Sequence, residues 1–187
     1  MMADTLEYNF GVRPKYYIMT NLQGFVGIVD SLGGINVNVG SGLTDACDLP
    51  QEVNGKCSVS SGSNYMDGAT ALWYVRSRKT SSDLDRMRRT QEVMYAIFKE
   101  FMSMNAISRL PELYSQYSDS VETNMGVGDM LPLLPVASQI LSDSSKMRRY
   151  SIAQGEVTPY VTDTGAQVLL PNYEAIAQVL IEAVFNP

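Results

Sequence analysis

Six basic residues, Arg76, Arg78, Lys79, Arg86, Arg88 and Arg89, fall within fourteen consecutive positions. Against Asp83 and Asp85 this segment is a net +4 island on a chain whose total is −6. A compact cationic island on an acidic protein suits a specific anion better than a polyanion. The spacing predicts that Arg86, Arg88 and Arg89 sit in the first turns of a helix, where the macrodipole disfavours cations by roughly 0.3–1 kcal/mol each. Asp83 and Asp85 relieve part of that repulsion. Backbone N–H groups at the helix start, joined by the guanidinium forks of Arg76 and Arg78, would make a phosphate site. Arg86 shares a face with Arg89 and Thr90 at spacings of three and four. The competing reading is a structural cluster in which Asp83 and Asp85 neutralise their neighbours, and the residues alone leave both open. Other chemistry is excluded more firmly. The chain has no histidine, which removes Ser-His-Asp and Cys-His catalysis, His-ligated zinc and a His proton shuttle. Two cysteines make no four-thiolate site, so a metal would be a hard ion held by oxygens.

The elements that must position these side chains are legible in outline. Tyr16 to Met19 is a short apolar run, read as a buried strand. Thr20 or Asn21 can cap a helix bearing Leu22, Phe25, Val29 and Leu32 on one face, which Gly33-Gly34 ends. Ile35, Val37 and Val39 alternate with Asn36 and Asn38 as in a half-exposed strand. Residues 40–64, rich in Gly, Ser and Asp, read as a long surface loop. Asp67 caps a short helix that leaves Arg76 and Arg78 at or just past its end. Ser82 or Asp83 opens a helix of about 84–104, with Met87, Met94, Ile97, Phe101 and Met104 along one side, read as a core face that also suits a flexible apolar ligand. Two further helical patterns in 105–142 are broken by Gly126, Gly128, Pro132 and Pro135. Arg149 to Ile152 and Pro159 to Val161 read as strands, and Pro171-Asn172 starts a last helix carrying Ile176, Leu180 and Val184. Strands interspersed with helices indicate a layered α/β domain, with few strands visible for a large sheet.

A chain of 187 residues buries roughly 70% of its unfolded surface, enough for one independent core, and no linker divides it. With 45% apolar and 18% charged residues it is a globular chain, and no run of about 18 apolar residues would span a membrane. Cys47 and Cys57 flank a loop turned by Pro50 and Asn54-Gly55. A bridge there would add about 2.8 kcal/mol on the chain-entropy model and would indicate an extracytoplasmic location. Two unpaired thiols of a cytosolic protein is the other reading.

Three motifs, in order, resemble the LytR-CpsA-Psr domain of bacterial envelope proteins. Gly24-Phe25 with Val29-Asp30-Ser31-Leu32-Gly33-Gly34-Ile35 is similar to its Gly-Phe … Val-Asp-Ala-Leu-Gly-Gly-Val. Asp67-Gly68-Ala69-Thr70-Ala71-Leu72-Trp73-Tyr74-Val75-Arg76 is similar to its Asp-Gly-x-x-Ala-Leu-x-Tyr-x-Arg. Arg76, Arg78, Ser82, Asp83, Arg86, Arg89 and Gln91 match Arg-x-Arg, a loop, then Ser-Asp-Phe-Gly-Arg-x-x-Arg-Gln-Gln. The chain departs at Asp85, where the family has Gly, and at Thr90, where it has Gln.

The resemblance implies one α/β domain over 1–187, with a mixed central sheet flanked by helices. It implies an envelope phosphotransferase that joins a polyprenyl-pyrophosphate-linked anionic glycopolymer, teichoic acid or capsular polysaccharide, to peptidoglycan. Arg76, Arg78 and Arg86 would be the catalytic, phosphate-holding residues, with Asp83, Arg89, Thr90 and Gln91 binding or supporting. Thr90 keeps a donor but reaches less far than Gln. Mg²⁺ assists in the family. Its acids lie in a segment that aligns before Met1, so no metal ligand is assigned in this chain, and Asp30 reads as a structural residue. That alignment makes the chain the C-terminal two-thirds or so of the family domain, membrane-anchored and extracytoplasmic when whole and inactive in transfer by itself. A non-catalytic module binding polyprenyl phosphate or phosphoglycan is the alternative. A plain intracellular protein with a surface ion-pair cluster is a third reading, which the three motifs disfavour.

Overall fold

The computed structural model describes residues 2–78, 82–103, 120–143, 148, 150–152 and 155–185. The chain forms two compact units, residues 16–141 and the two chain ends, 1–15 with 142–187. In the larger unit, β1 (Ile18–Thr20) leads to α2 (Leu22–Ser31), β2 (Ile35–Val39), β3 (Leu43–Ala46), β4 (Lys56–Val59), β5 (Gly62–Met66), α3 (Gly68–Arg76) and α4 (Asp83–Ser103). Then come β6 (Val121–Thr123), the short α5 (Val127–Met130) and α6 (Leu134–Ser142). The unit of the chain ends holds α1 (Met2–Phe10), β7 (Val157–Val161), β8 (Gln167–Pro171) and α7 (Tyr173–Phe185). The α/β class holds. Its described strands pair two by two and antiparallel, as β1–β6, β2–β5, β3–β4 and β7–β8. No helix among the described residues is long and apolar enough to cross a membrane.

The caps fall where the side chains allow them. Asn21 Oδ1 accepts from Gly24 N at 2.7 Å, and Asp67 Oδ1 accepts from Thr70 N at 2.8 Å, each satisfying an orphan donor of a first turn. Gly33 and Gly34 close α2 at φ of 78° and 86°, values that favour glycine. Asp30 Oδ1 accepts from Gly68 N at 2.7 Å, tying the end of α2 to the start of α3, the structural role expected of it. Gly68 also lets these helices touch, since a Cβ there would lie 2.4 Å from the Val26 carbonyl oxygen.

The core of the larger unit is built from Val29 and Leu32 of α2, the inward Ile35, Val37 and Val39 of β2, and Leu43 and Met66 from the neighbouring strands. Ala71 and Tyr74 of α3 and Val93 and Ala96 of α4 complete it. Each large side chain buried here contributes about 1.5–3 kcal/mol. The alternation expected for 35–39 is present, with 35, 37 and 39 buried and 36 and 38 exposed.

Several expectations are corrected. Residues 40–64 are not one loop but β3, β4 and most of β5. Their inward positions include Asp45 and Cys57, so little apolar signal marked them. Tyr16 to Met19 does supply part of a strand, yet every residue of β1 is exposed rather than buried. On α4 the inward face is Arg89, Glu92, Val93 and Ala96, while Met87 and Met94 are exposed and Ile97 and Phe101 pack at the edge of the core. Residues 150–152 are not a strand, β8 was unforeseen, and Pro171 closes β8 while Asn172 caps α7. Lys79, Met104, Arg149 and the helical pattern of 105–119 lie outside the described residues.

Cys47 and Cys57 are bonded, with Cα atoms 5.6 Å apart. The bridge closes the connection between β3 and β4. Reduction is expected to cost about 2.8 kcal/mol by releasing that loop in the unfolded chain. Thermal unfolding with and without reductant checks it, and an unchanged midpoint would sink it.

Candidate functional site: an arginine cluster between two helix ends

The helix α3 ends at Arg76 because Ser77 turns out of helical geometry, its N–H and Oγ both donating to the Trp73 carbonyl at 2.9 Å. Arg76 and Arg78 therefore project from the last turn and just beyond it, both exposed. The helix α4 begins with a reciprocal cap. Ser82 Oγ accepts from Asp85 N at 3.1 Å, and Asp85 Oδ2 accepts from Ser82 N at 3.3 Å and from Ser82 Oγ at 2.9 Å. Two backbone donors expected to be free for phosphate are thus engaged within the cap.

Asp83 sits between two arginines. Arg78 Nε lies 3.1 Å from Asp83 Oδ1 and Arg78 Nη2 donates to Oδ2 at 3.4 Å, while Arg86 Nη2 lies 3.5 Å from Oδ1. These side chains are 39–58% exposed, so the pairs are worth about 0–1 kcal/mol each. Such a carboxylate can yield to a ligand of higher charge. Arg76 makes no hydrogen bond or ion pair with any described residue. The structure therefore gathers Arg78, Asp83 and Arg86 and sets Arg76 beside Arg78, where the two line one groove.

Arg89 is placed differently. It is 1% exposed, its Nε donates to the Tyr74 carbonyl at 2.8 Å, its Nη2 donates to the Ser77 carbonyl, and its guanidinium lies 5.7 Å from the Tyr74 ring centroid. Burial pulls its pKa below the ordinary arginine value. It holds the end of α3 from beneath and so positions Arg76 and Arg78 without facing solvent. Thr90 Oγ1 donates to the Arg86 carbonyl at 2.9 Å, which engages its one proton inside α4, and Gln91 is half-buried on the same helix.

The residues above gave no warning of Glu92. It is 9% exposed and accepts from the Tyr74 hydroxyl at 2.7 Å, from Gly40 N at 3.1 Å and from Arg88. Burial first, then the Glu92 carboxylate, holds the Tyr74 phenol far above its ordinary range and neutral. Its register was the available signal, since it stands next to Val93 and four residues from Ala96 on the inward face.

Among the described residues no three acids or cysteines converge as metal ligands. Asp83 is engaged by Arg78 and Arg86, and Asp85 by the Ser82 cap.

Asp85 stands where a glycine was expected, and its place in the cap accounts for it. Hydrogen bonds from Ser82 hold its carboxyl below the ordinary range. A depressed carboxyl stabilises above its unfolded pKa and loses that contribution as pH falls through the folded one. Asp85→Gly is expected to cost about 0.5–1 kcal/mol at pH 7, fading below about pH 4. Urea midpoints at pH 7 and pH 3 check this, and an equal difference at both would refute it.

The larger α/β unit thus presents exposed guanidinium forks where two helix ends meet, groups whose geometry is complementary to an oxyanion. The chain belongs to the LytR_cpsA_psr family, whose model matches residues 1–179. It is 28% identical over 145 residues to the polyisoprenyl-teichoic acid–peptidoglycan teichoic acid transferase TagT of Bacillus subtilis, covering 78% of this chain and 45% of that protein. It is 30% identical over 132 residues to TagU of Enterococcus faecalis, covering 70% and 41%. The chain thus spans about half the length of the curated relatives it matches. Its fold is similar to the crystal structure of B. subtilis TagV, with a TM-score of 0.75, 22% identity, and 98% of this chain and 69% of that one covered. It is also similar to TagT bound to LIIa-WTA, with a TM-score of 0.67, 20% identity, and 96% and 64% covered.

Proposed function

We propose that the chain carries the phosphate-gripping site of an extracytoplasmic envelope phosphotransferase. Its donor is an anionic glycopolymer, of the teichoic or capsular class, on a polyprenyl pyrophosphate, and its acceptor is peptidoglycan. The observation that supports this most is the arrangement of Arg76, Arg78 and Arg86 at the surface over the buried Arg89. The names of the curated relatives point the same way, and the disulfide suits an oxidising compartment.

The chemistry needs no protein nucleophile. An acceptor hydroxyl forms a bond to the glycan-side phosphorus and releases its proton to water, the bridging P–O bond of the pyrophosphate breaks, and polyprenyl phosphate leaves with the electron pair. Arg76, Arg78 and Arg86 would neutralise the charge on the phosphate oxygens, and Arg89 and Asp83 would hold two of those arginines in place before the ligand arrives. Mg²⁺ would assist by neutralising pyrophosphate charge without drawing on Asp83 or Asp85, which are engaged by arginines and by the helix cap.

Arg78→Ala is expected to weaken farnesyl pyrophosphate binding roughly 10–30-fold, and Arg78→Lys to restore only part, because lysine returns charge without the planar fork. Arg13→Ala, in the unit of the chain ends and paired with Asp4 and Glu7, is the control. Isothermal titration separates the outcomes. Equal affinities for all three variants would make the cluster purely structural. Binding without glycan transfer, in a form extended to the relatives' full length, would assign the non-catalytic module instead.

A further inference from the structure

Asn54-Gly55 is the chain's one Asn-Gly pair, and the arginine site makes no use of it. The pair forms a two-residue turn, with Val53 N donating to the Lys56 carbonyl at 2.8 Å and Lys56 N donating back at 3.2 Å. Both central residues have positive φ, 53° and 72°, the mirror-image turn that Asn-Gly favours. Asn54 is exposed, and its carboxamide makes no hydrogen bond with any described residue.

Such a pair can modify itself. The Gly55 nitrogen gives its proton to water and forms a bond to Asn54 Cγ, and the Cγ–Nδ2 bond breaks so that ammonia leaves with a proton. Glycine has no Cβ to obstruct that approach. The product is a five-membered imide, which water opens at one of its two carbonyl carbons. One opening gives an aspartyl residue and the other an isoaspartyl residue, whose main chain runs through the former side chain. That second product adds a backbone atom to a two-residue turn and breaks the Val53–Lys56 register.

The folded chain opposes the first bond at several points. Gly55 N donates to Glu52 Oε1 at 2.6 Å, a charge-assisted bond that must be given up before the nitrogen can attack. The adjacent carboxylate also disfavours a nitrogen that is losing its proton. The Gly55 carbonyl accepts from Cys47 N at 3.2 Å, and Cys47 is bridged to Cys57, one residue beyond the turn. Closing the imide ring turns the Asn54–Gly55 peptide out of these contacts, which requires the turn to open locally.

We propose that Asn54 is a self-modification site guarded jointly by the Cys47–Cys57 bridge and the Glu52 carboxylate. A dithiol reductant, by supplying two electrons and two protons, converts the bridge to two thiols and lifts the first guard. Because loss of ammonia is not reversed when the thiols reoxidise, position 54 keeps a record of time spent reduced. The proposal stands apart from the arginine site, so its outcome leaves the proposed function untouched.

The oxidised protein, the dithiol-reduced protein and oxidised Glu52→Ala are aged side by side in mildly alkaline buffer, with the reduced chain in urea as the unguarded reference. Peptide mapping by mass spectrometry follows amide loss at Asn54, and circular dichroism reports which samples stay folded. The oxidised protein should lose the amide at least about tenfold more slowly than the unfolded chain. Reduction, and Glu52→Ala with the bridge intact, should each speed the loss about fivefold or more, the worth of one hydrogen bond. If reduction unfolds the chain, the bridged Glu52→Ala variant decides alone. Amide loss from the oxidised protein at the unfolded rate overturns the proposal. So does a folded reduced protein, or a folded Glu52→Ala variant, that is no faster than the oxidised parent.

Discussion

Arg89→Ala is expected to lower the unfolding free energy by about 3 kcal/mol and to abolish measurable pyrophosphate binding in the protein that remains folded. The guanidinium is buried and donates to the carbonyls of Tyr74 and Ser77. Truncation leaves those acceptors unpaired in a site water cannot easily enter, at about 1–3 kcal/mol for each buried orphan group. It also opens a cavity under Tyr74. Because the two carbonyls bracket Arg76 and precede Arg78, the loss is transmitted to the surface arginines without touching them. Arg89→Lys should recover little, since one ammonium cannot span two carbonyls that a planar fork reaches together. Chemical denaturation measures the first effect and calorimetric titration the second. A variant with native stability and native affinity would show that the end of α3 holds itself.

The second large effect is at Glu92. Replacing it by Ala removes the acceptor of the Tyr74 hydroxyl, of Gly40 N and of Arg88 together, and about 3–4 kcal/mol of stability should go with it. Glu92→Gln keeps the size and one acceptor but turns an amide toward a donor, so an intermediate loss is expected. The Tyr74→Phe, Glu92→Ala double-mutant cycle isolates their bond, and the coupling should be about 1 kcal/mol or more. Additive effects would mean that Glu92 serves Gly40 and Arg88 alone. Because the phenol is held neutral far above its ordinary range, this coupling should not change between pH 6 and about pH 9.

How much of this could be read from residues alone depended on whether local chemistry or tertiary packing decides the position. Asn21, Asp67 and Ser82 cap helices for reasons contained in their own side chains. The alternation of 35–39 reports its burial directly because every inward residue there is apolar. The strands within 40–64 obey the same period, but the inward Asp45 interrupts the apolar code, and turn-forming residues dominate the composition. On α4 the stripe of methionines misled, because a helix with two apolar edges does not say which one faces the core. The buried face instead carries Arg89 and Glu92, against the general rule that charges stay outside unless paired. The arginine cluster was visible as a charge island, yet its division into surface grips and a buried support was not. That division depends on carbonyls from another helix, which no spacing within the segment encodes.

The contact at Gly68 carries a mechanical implication. One end of α3 lies against the Val26 carbonyl with no room for a side chain, and Asp30 grips its first backbone donor. The other end is gripped by Arg89 through Tyr74 and Ser77. A rod clamped at both ends behaves as a strut. It can neither slide along its axis nor roll, and what stands on it keeps a fixed bearing. Arg76 is mounted at the far clamp, eight residues and roughly 12 Å of helix from Gly68. Strain entering at the glycine end, as a side chain added at residue 68 would cause, should therefore be felt as a displacement of the arginine rather than absorbed in between.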